Sequence, residues 1–174
     1  MADRFGPLEI IGGQWVIGDS AARHAKYLQL GRQGMSCWAD GVEAQLIPWP
    51  RFVELSLSAT ATRLGNSKLL AKVTDLALGL GGVARHGGGS ACVVASLRHP
   101  YEEWSAEFSH HADRYDRHQI VLANEFLSRA VQCGKAPLLG DTDWVSGAIE
   151  KMSHLAPASS RSLASAVQEM LDGL

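Results

Sequence analysis

Short runs of alternating apolar and polar residues fill most of the first sixty positions, and this pattern predicts β-strands. Two of these runs cover residues 14–18 and 26–31. Asp40 and Gly41 separate two further apolar runs, and this dipeptide is typical of a tight hairpin, because both residues of a type I′ turn need positive φ. After Arg51 the chain predicts a strand with one half-buried face, formed by Val53, Leu55, Leu57 and Ala59.

The middle of the chain has a less regular pattern. Residues 66–80 carry apolar side chains at helical spacing but also fit a strand, and both interpretations stay open. Residues 79–90, GLGGVARHGGGS, contain six glycines and predict a loop. Two more strands are predicted beyond it, over residues 91–97 and 102–111. In the second of these, one face carries Trp104, Ala106 and Phe108.

Asp116 marks the change from strand to helix periodicity. With Gln119 it forms the pattern of a capping box, and Tyr115 with Ile120 forms that of a hydrophobic staple. The apolar stripe that follows predicts a helix ending just before Gly134, a residue that suits the first position beyond a helix.

Two shorter helices are predicted after the long one. The first is capped by Asp141 or Thr142 and runs to about His154. The second opens at Ser159 or Ser160 and has an apolar face of Leu163, Val167, Met170, Leu171 and Leu174. This face must pack against the rest of the chain or against a partner, and the sequence allows either.

Composition is that of a globular chain with its own core. Of the 174 residues, 46% are hydrophobic and 20% are charged. A net charge of −2 does not favour nucleic acid, and no apolar run has the length of a membrane span. The cysteines Cys37, Cys92 and Cys133 lie far apart, and no signal peptide is recognised, so a cytoplasmic location is predicted.

Charge is unevenly distributed along the chain. Residues 51–98 contain six basic and two acidic residues, whereas residues 99–125 contain six acidic and two basic ones. Such segments either face each other in the fold or form a dipolar surface that steers a partner. The simpler expectation is that they face each other.

About seven short strands followed by a long helix resemble a pleckstrin-homology-like (PH-like) domain. The segment DGVEAQLIPWPRFVEL, residues 40–55, is similar to part of bacterial PH-like domains, where a hairpin strand runs into an I-P-W corner and then an alternating strand. The resemblance covers about residues 10–134. It implies an α+β fold in which a helix closes one end of a seven-stranded antiparallel barrel or roll.

The resemblance also implies a division of the chain and a general role. It divides the chain into a PH-like β domain, residues 1–134 with an insertion at 61–90, and a helical extension, residues 135–174. It implies binding or scaffolding without catalysis. Members that bind phosphoinositides carry clustered Lys and Arg around the first strand-to-strand loop, whereas this chain has few basic residues there, Arg23 and Lys26 among them. A membrane surface is therefore not the expected partner.

The glycine-rich stretch does not match a nucleotide-binding motif. A P-loop requires Gly-Lys-Ser/Thr, which does not occur in the sequence. Gly79, Gly81 and Ala84 fit G-x-G-x-x-A, but three consecutive glycines follow where that fingerprint needs a helix. The sequence also lacks a G-x-S-x-G nucleophile motif. We therefore predict no catalytic residue and no cofactor.

The segment HHADRYDRH, residues 110–118, gathers imidazole and carboxylate groups of the kind that bind transition metals. They are His110, His111, Asp113, Asp116 and His118. Adjacent histidines at the end of a strand point to opposite faces, and Asp116 is better explained as a helix cap. No metal site is predicted there, and a metal-dependent enzyme at this corner is the second alternative function.

The favoured hypothesis is a non-enzymatic module that recognises a protein or peptide, with self-association left open. Its surface is predicted at the open edge near Trp49 and Arg51, together with Arg23 and Lys26. Trp49 stands between two prolines and is either an exposed anchor or a buried corner residue. The first alternative is a small-ligand or lipid binder that uses the mouth of the barrel.

Overall fold

The computed structural model describes residues 3–59, 91–113, 115–155 and 160–174. These residues form an α+β fold of nine antiparallel strands in two sheets, followed by three α-helices. The α+β class is therefore confirmed. The predictions for residues 66–80 and for the glycine stretch fall outside the described residues.

The first sheet contains six strands in chain order, each antiparallel to the next. They are β1 (Arg4–Phe5), β2 (Leu8–Ile11), β3 (Gln14–Ile17), β4 (Lys26–Leu30), β5 (Gly34–Ala39) and β6 (Val42–Pro48). Between β5 and β6, Asp40 and Gly41 have φ values of 51° and 77°. Both are positive, as a type I′ turn requires, so the predicted hairpin is confirmed.

The second sheet contains β7 (Phe52–Ser58), β8 (Cys92–Leu97) and β9 (Glu102–Glu107) in that order. The pairing of β7 with β8 shifts register between Phe52 and Glu54. This irregularity turns Phe52 inward and leaves Val53 41% exposed. The prediction that Val53 belongs to the buried face is therefore wrong, whereas Leu55 and Leu57 are buried as predicted.

A 3-10 helix, Trp49–Arg51, joins the two sheets at a sharp corner. Trp49 is only 2% exposed and fixes this corner to the β4–β5 connection. Its indole N–H donates to the carbonyl of Gly31 (2.8 Å), and its backbone N–H donates to Gln33 (3.2 Å). Its ring packs against Phe52 with a centroid distance of 5.5 Å.

The described strands do not close into the seven-stranded barrel that the resemblance implies. The first sheet ends at β1 and β6, and the second ends at β7 and β9. Ser109, which follows β9, links the second sheet to β4 of the first by hydrogen bonds to the backbone of Lys26. Ser109 donates its N–H to the carbonyl of Lys26 (2.7 Å), and its hydroxyl accepts from the N–H of Lys26 (2.9 Å).

The three helices are α1 (Arg117–Gln132), α2 (Thr142–Ser153) and α3 (Ser160–Asp172). Asp116 caps α1 as predicted, accepting the N–H of His118 at 2.7 Å. Gln119 does not complete a capping box, because its side-chain oxygen accepts from the N–H of Gly6 instead (3.1 Å). Asp141 caps α2, accepting from the N–H groups of the second and third residues beyond it.

One buried cluster contains side chains from both sheets and from all three helices. Helix α3 packs on α1 and α2, with Leu163, Val167 and Leu171 in this cluster. Its apolar face therefore packs on the chain itself. Leu174 is 40% exposed, so it lies at the margin of that face. No helix among the described residues is long and apolar enough to span a membrane.

Candidate functional site

The predicted partner-binding residues do not form one cluster but lie at the two ends of β6. Arg23 is in the loop that leads into Lys26, which pairs with Ala39 next to the start of β6. Trp49 and Arg51 follow the last residue of β6. A strand of seven residues is roughly 20 Å long, so these two pairs cannot form a single contact point.

Trp49 is not available as a surface anchor. Its side chain is buried, and its indole N–H is already used within the fold. Of the two interpretations that the sequence allows, the buried corner residue is the one observed. The prediction of Trp49 as a partner contact is therefore corrected, because the hydrogen bond to Gly31 and the packing against Phe52 hold the ring in the core.

The three predicted cations differ in their surroundings. Arg51 forms an ion pair with Glu102 (2.6 Å), and Lys26 forms one with Glu107 (3.3 Å). Arg23 is exposed. Both acidic partners lie on β9, so Lys26 joins the first sheet to the second, whereas Arg51 joins the corner to the second sheet. The Arg51–Glu102 pair also joins the basic and acidic segments of the sequence, in line with the expectation that these face each other.

The outer strands of an open sheet expose backbone N–H and C=O groups that can pair with another chain. In the described part of the chain these outer strands are β1, β6, β7 and β9. Strand β1 has only two residues. At β7, the side chain of Asn124 on α1 accepts the N–H of Leu57 at 2.7 Å. Strand β9 carries Glu102, Glu103 and Glu107. Shortness, helix cover and charge each reduce pairing with other chains.

Among these four edges, β6 is the least protected in the described residues, and its side-chain link to β9 is the indole N–H of Trp104, which donates to Gln45 (3.1 Å). Strand β6 is seven residues long, and residues 42–46 are all exposed. Val42 is 67% and Leu46 is 40% exposed, while Glu43 is its single charged residue. A long, exposed edge with apolar side chains favours addition of another strand. The prediction of an open edge thus corresponds to β6 itself.

A small cleft lies beside β6 and has a volume of about 200 Å³. Its lining includes Lys26, Cys37, Ala44 and Ala106. Small-molecule sites typically have roughly 300–1,000 Å³, so this cleft does not favour the small-ligand alternative. Burial, with a further contribution from Glu43, raises the pKa of the Cys37 thiol to about 11. A thiol of this kind is a poor nucleophile at neutral pH.

Two glutamates, Glu43 on β6 and Glu103 on β9, have only hydroxyl partners in the described residues. Glu43 accepts from the hydroxyl of Ser36 (3.4 Å), and Glu103 accepts from that of Ser96 (3.0 Å). Neither side chain forms an ion pair there. They can therefore attract a basic residue of a partner.

The 110–118 segment does not assemble into the metal group considered from the sequence. Asp116 is a helix cap, and Nε2 of His118 lies 2.9 Å from the carbonyl of Leu155. Among the described residues of this segment, only His111 belongs to a cluster of metal-ligand type, and its neighbours there are Glu9 and Asp19. Sequence reasoning missed these two carboxylates because only the folded sheets bring them to His111.

No family model, curated protein or solved structure matches the chain. The PH-like resemblance therefore stays a prediction, and what the chain binds has to be inferred from its own edges, charges and side-chain clusters.

Proposed function

We propose that the protein is a non-enzymatic binding module that takes up an extended peptide segment of a partner as an added strand along β6. The observation that carries this proposal is the contrast between the open edge of β6 and the three other edges described above. Strand addition to a sheet edge is a recurrent mode of peptide recognition, in which backbone hydrogen bonds supply affinity and alternate side chains supply specificity.

The side chains on and near β6 indicate which peptides would bind best. Val42 and Leu46 offer apolar contacts at the two halves of the strand. Glu43 lacks a cationic partner in the described residues. An extended segment with apolar residues and at least one Lys or Arg therefore fits this edge.

The experiment starts from a random peptide-display library selected on the immobilised full chain. The affinity of selected peptides is then measured by fluorescence anisotropy for the wild type and for the double variant Val42→Lys, Leu46→Lys. Both positions are exposed, so the fold should persist, while added lysines on an edge oppose strand pairing. We expect at least about tenfold weaker binding, or a loss of about 1.4 kcal/mol.

The matched control is Val121→Lys on α1, where the replaced valine is 36% exposed. It adds one lysine to a different element, α1, and should leave peptide affinity unchanged. Equal affinity of the β6 double variant and the wild type would contradict the proposal. Sedimentation of the free protein tests the self-association variant, since pairing of two copies through β6 should be lost in the same double variant.

We also propose that the chain has a PH-like fold and a cytoplasmic location. The order of strands followed by a helix, with a Pro48–Trp49–Pro50 corner after β6, supports the PH-like assignment. The cysteines Cys37, Cys92 and Cys133 are all free, which supports a reducing, cytoplasmic compartment.

A further inference from the structure

Glu9, Asp19 and His111 meet in the fold, and each is contributed by a different segment of the chain. Glu9 lies in β2, Asp19 follows β3, and His111 follows β9. One ligand-type atom from each lies within 4.8 Å of those of the other two. The set contains one imidazole and two carboxylates, which are ligands for divalent transition metals.

Gly18 allows this approach. Its φ is +100°, and a Cβ at this position would lie 2.9 Å from Cβ of Phe108 and 3.1 Å from the carbonyl oxygen of Ser109. The next residue, Asp19, donates its N–H to that same carbonyl at 2.8 Å. The loop after β3 is thus held against the segment that leads to His111.

His111 is a buried histidine whose Nε2 atom has no hydrogen-bond partner in the described residues. Its side chain is 6% exposed, and its Nδ1 lies 2.7 Å from the hydroxyl of Tyr115. Its Nε2 lies 3.0 Å from Oε2 of Glu9. This contact does not have the geometry of a hydrogen bond, so Nε2 is buried without one in the described residues. A buried polar nitrogen without a hydrogen bond is rare and unfavourable.

The arrangement around the ring suits a metal ligand. If Nδ1 carries the proton and donates to Tyr115, Nε2 has its lone pair on the side of the carboxylates. A hydrogen bond from the second ring nitrogen is the usual way in which proteins orient a ligating histidine. Tyr115 is itself held in place, because its oxygen accepts the backbone N–H of His111 at 3.0 Å.

The carboxylates are also oriented by their surroundings. Oε1 of Glu9 accepts from the N–H and the hydroxyl of Ser20 (3.1 and 3.3 Å), which leaves Oε2 toward His111. Oδ1 of Asp19 accepts from the N–H of Ala21 at 2.9 Å, so its second oxygen remains for another partner. One oxygen of each group is thus fixed by the same short loop.

Charge around the cluster also favours a cation. Two carboxylates share one imidazole, and the guanidinium of Arg4, the residue paired with Glu9 across β1 and β2, contacts Asp113 at 3.4 Å instead. Two carboxylates this close repel each other unless a cation or a proton lies between them.

We propose that Glu9, Asp19 and His111 bind one divalent transition-metal ion, with Zn²⁺ as the probe. Bonds of about 2.1 Å place neighbouring ligand atoms about 3–3.5 Å apart, which fits the 3.0 Å between Nε2 of His111 and Oε2 of Glu9. Asp19 has to approach by a rotation of its side chain. Three protein ligands leave a fourth position for water. This site is independent of peptide binding at β6.

The test is zinc binding by the full chain after removal of metal with a chelator. Calorimetry should give one Zn²⁺ per chain, and X-ray absorption should show nitrogen and oxygen ligands with one imidazole. Glu9→Gln and Asp19→Asn keep the side-chain size and each remove one charge. Each should weaken binding by at least about tenfold, since even changes outside the ligand set cost about that much.

The matched control is the exposed pair of His24 and Asp40, whose Nδ1 and Oδ1 lie 3.0 Å apart without a third ligand in the described residues. Asp40→Asn should leave zinc affinity unchanged. Folding is monitored by circular dichroism, and added Zn²⁺ should raise the melting temperature of the wild type but not of the double variant Glu9→Gln, Asp19→Asn.

Three results would overturn the proposal. They are absence of stoichiometric zinc binding by the wild type, sulfur ligands in the absorption spectrum, and a double variant that binds zinc as the wild type does. In the first case the cluster is only the contact between Glu9 and His111.

Discussion

Gly18 is the residue whose backbone most directly determines the position of Asp19. It combines a positive φ with close contact to Phe108 and Ser109, so both conformation and space require glycine there. Trp49 is a second residue whose surroundings decide its role, since the indole is bonded inside the corner rather than offered to a partner. In both cases the neighbours come from distant parts of the chain.

Replacement of Gly18 by Ala should destabilise the protein by about 2–4 kcal/mol, through the left-handed backbone and the contact with Phe108. Gly12→Ala is the control, because Gly12 also has positive φ (+56°) but nothing within 4 Å of its added Cβ. It should cost only about 1–2 kcal/mol. Urea denaturation measures both values. A Gly18 variant as stable as the Gly12 variant would show that the close contact is unimportant.

Cys37 should react slowly with thiol reagents. With a pKa of about 11, only about one in a thousand of its thiols is ionised at pH 8. Cys133 is exposed and should be alkylated first. Mass spectrometry of an iodoacetamide time course tests this order. Because the thiolate fraction grows as pH rises toward 11, the rate at Cys37 should increase steeply over that range, and comparable labelling of both residues at pH 8 would refute the prediction.

Helix α3 shows how a single element is positioned by its apolar stripe. Leu163, Val167 and Leu171 are buried against α1 and α2, whereas Leu174, one turn beyond, is 40% exposed because the helix ends at Asp172. The stripe is thus satisfied within the chain, and α3 is not a free surface for a partner.

Leu171→Ala should therefore destabilise the protein by about 2–5 kcal/mol, since Leu171 is fully buried. Leu174→Ala, the same change on the same helix, should cost less than about 1 kcal/mol. Both are measured by chemical denaturation of the full chain. Similar losses for the two variants would mean that α3 does not pack as described.

Elements with local causes could be predicted from the sequence. The Asp40–Gly41 hairpin and the caps at Asp116 and Asp141 depend on residues within a few positions, and all three are observed. The inward turn of Phe52 at the expense of Val53 could not be predicted, because it arises from the register with β8. The same holds for Gln119, whose partner, the N–H of Gly6, comes from the opposite end of the chain.

At the scale of the whole molecule, the way the two sheets assemble produces both the open edge of β6 and the cluster of Glu9, Asp19 and His111. The edge of β6 stays exposed because the described strands do not close into a barrel. The Glu9, Asp19 and His111 cluster forms because the segment after β9 returns to the first sheet through Ser109. The sequence indicated an open edge and one of the three ligands, but which strand is open and which carboxylates meet His111 depend on long-range pairing.

The central claim is that β6 accepts an extended peptide, and NMR spectroscopy of the ¹⁵N-labelled full chain with a selected peptide tests it most directly. We expect the largest amide shifts over residues 42–48, new protection of those amides from hydrogen exchange, and backbone contacts between the peptide and β6. Largest shifts elsewhere, for example along the groove between α1 and α3 near Arg129 and Gln168, with β6 unchanged, would contradict the claim.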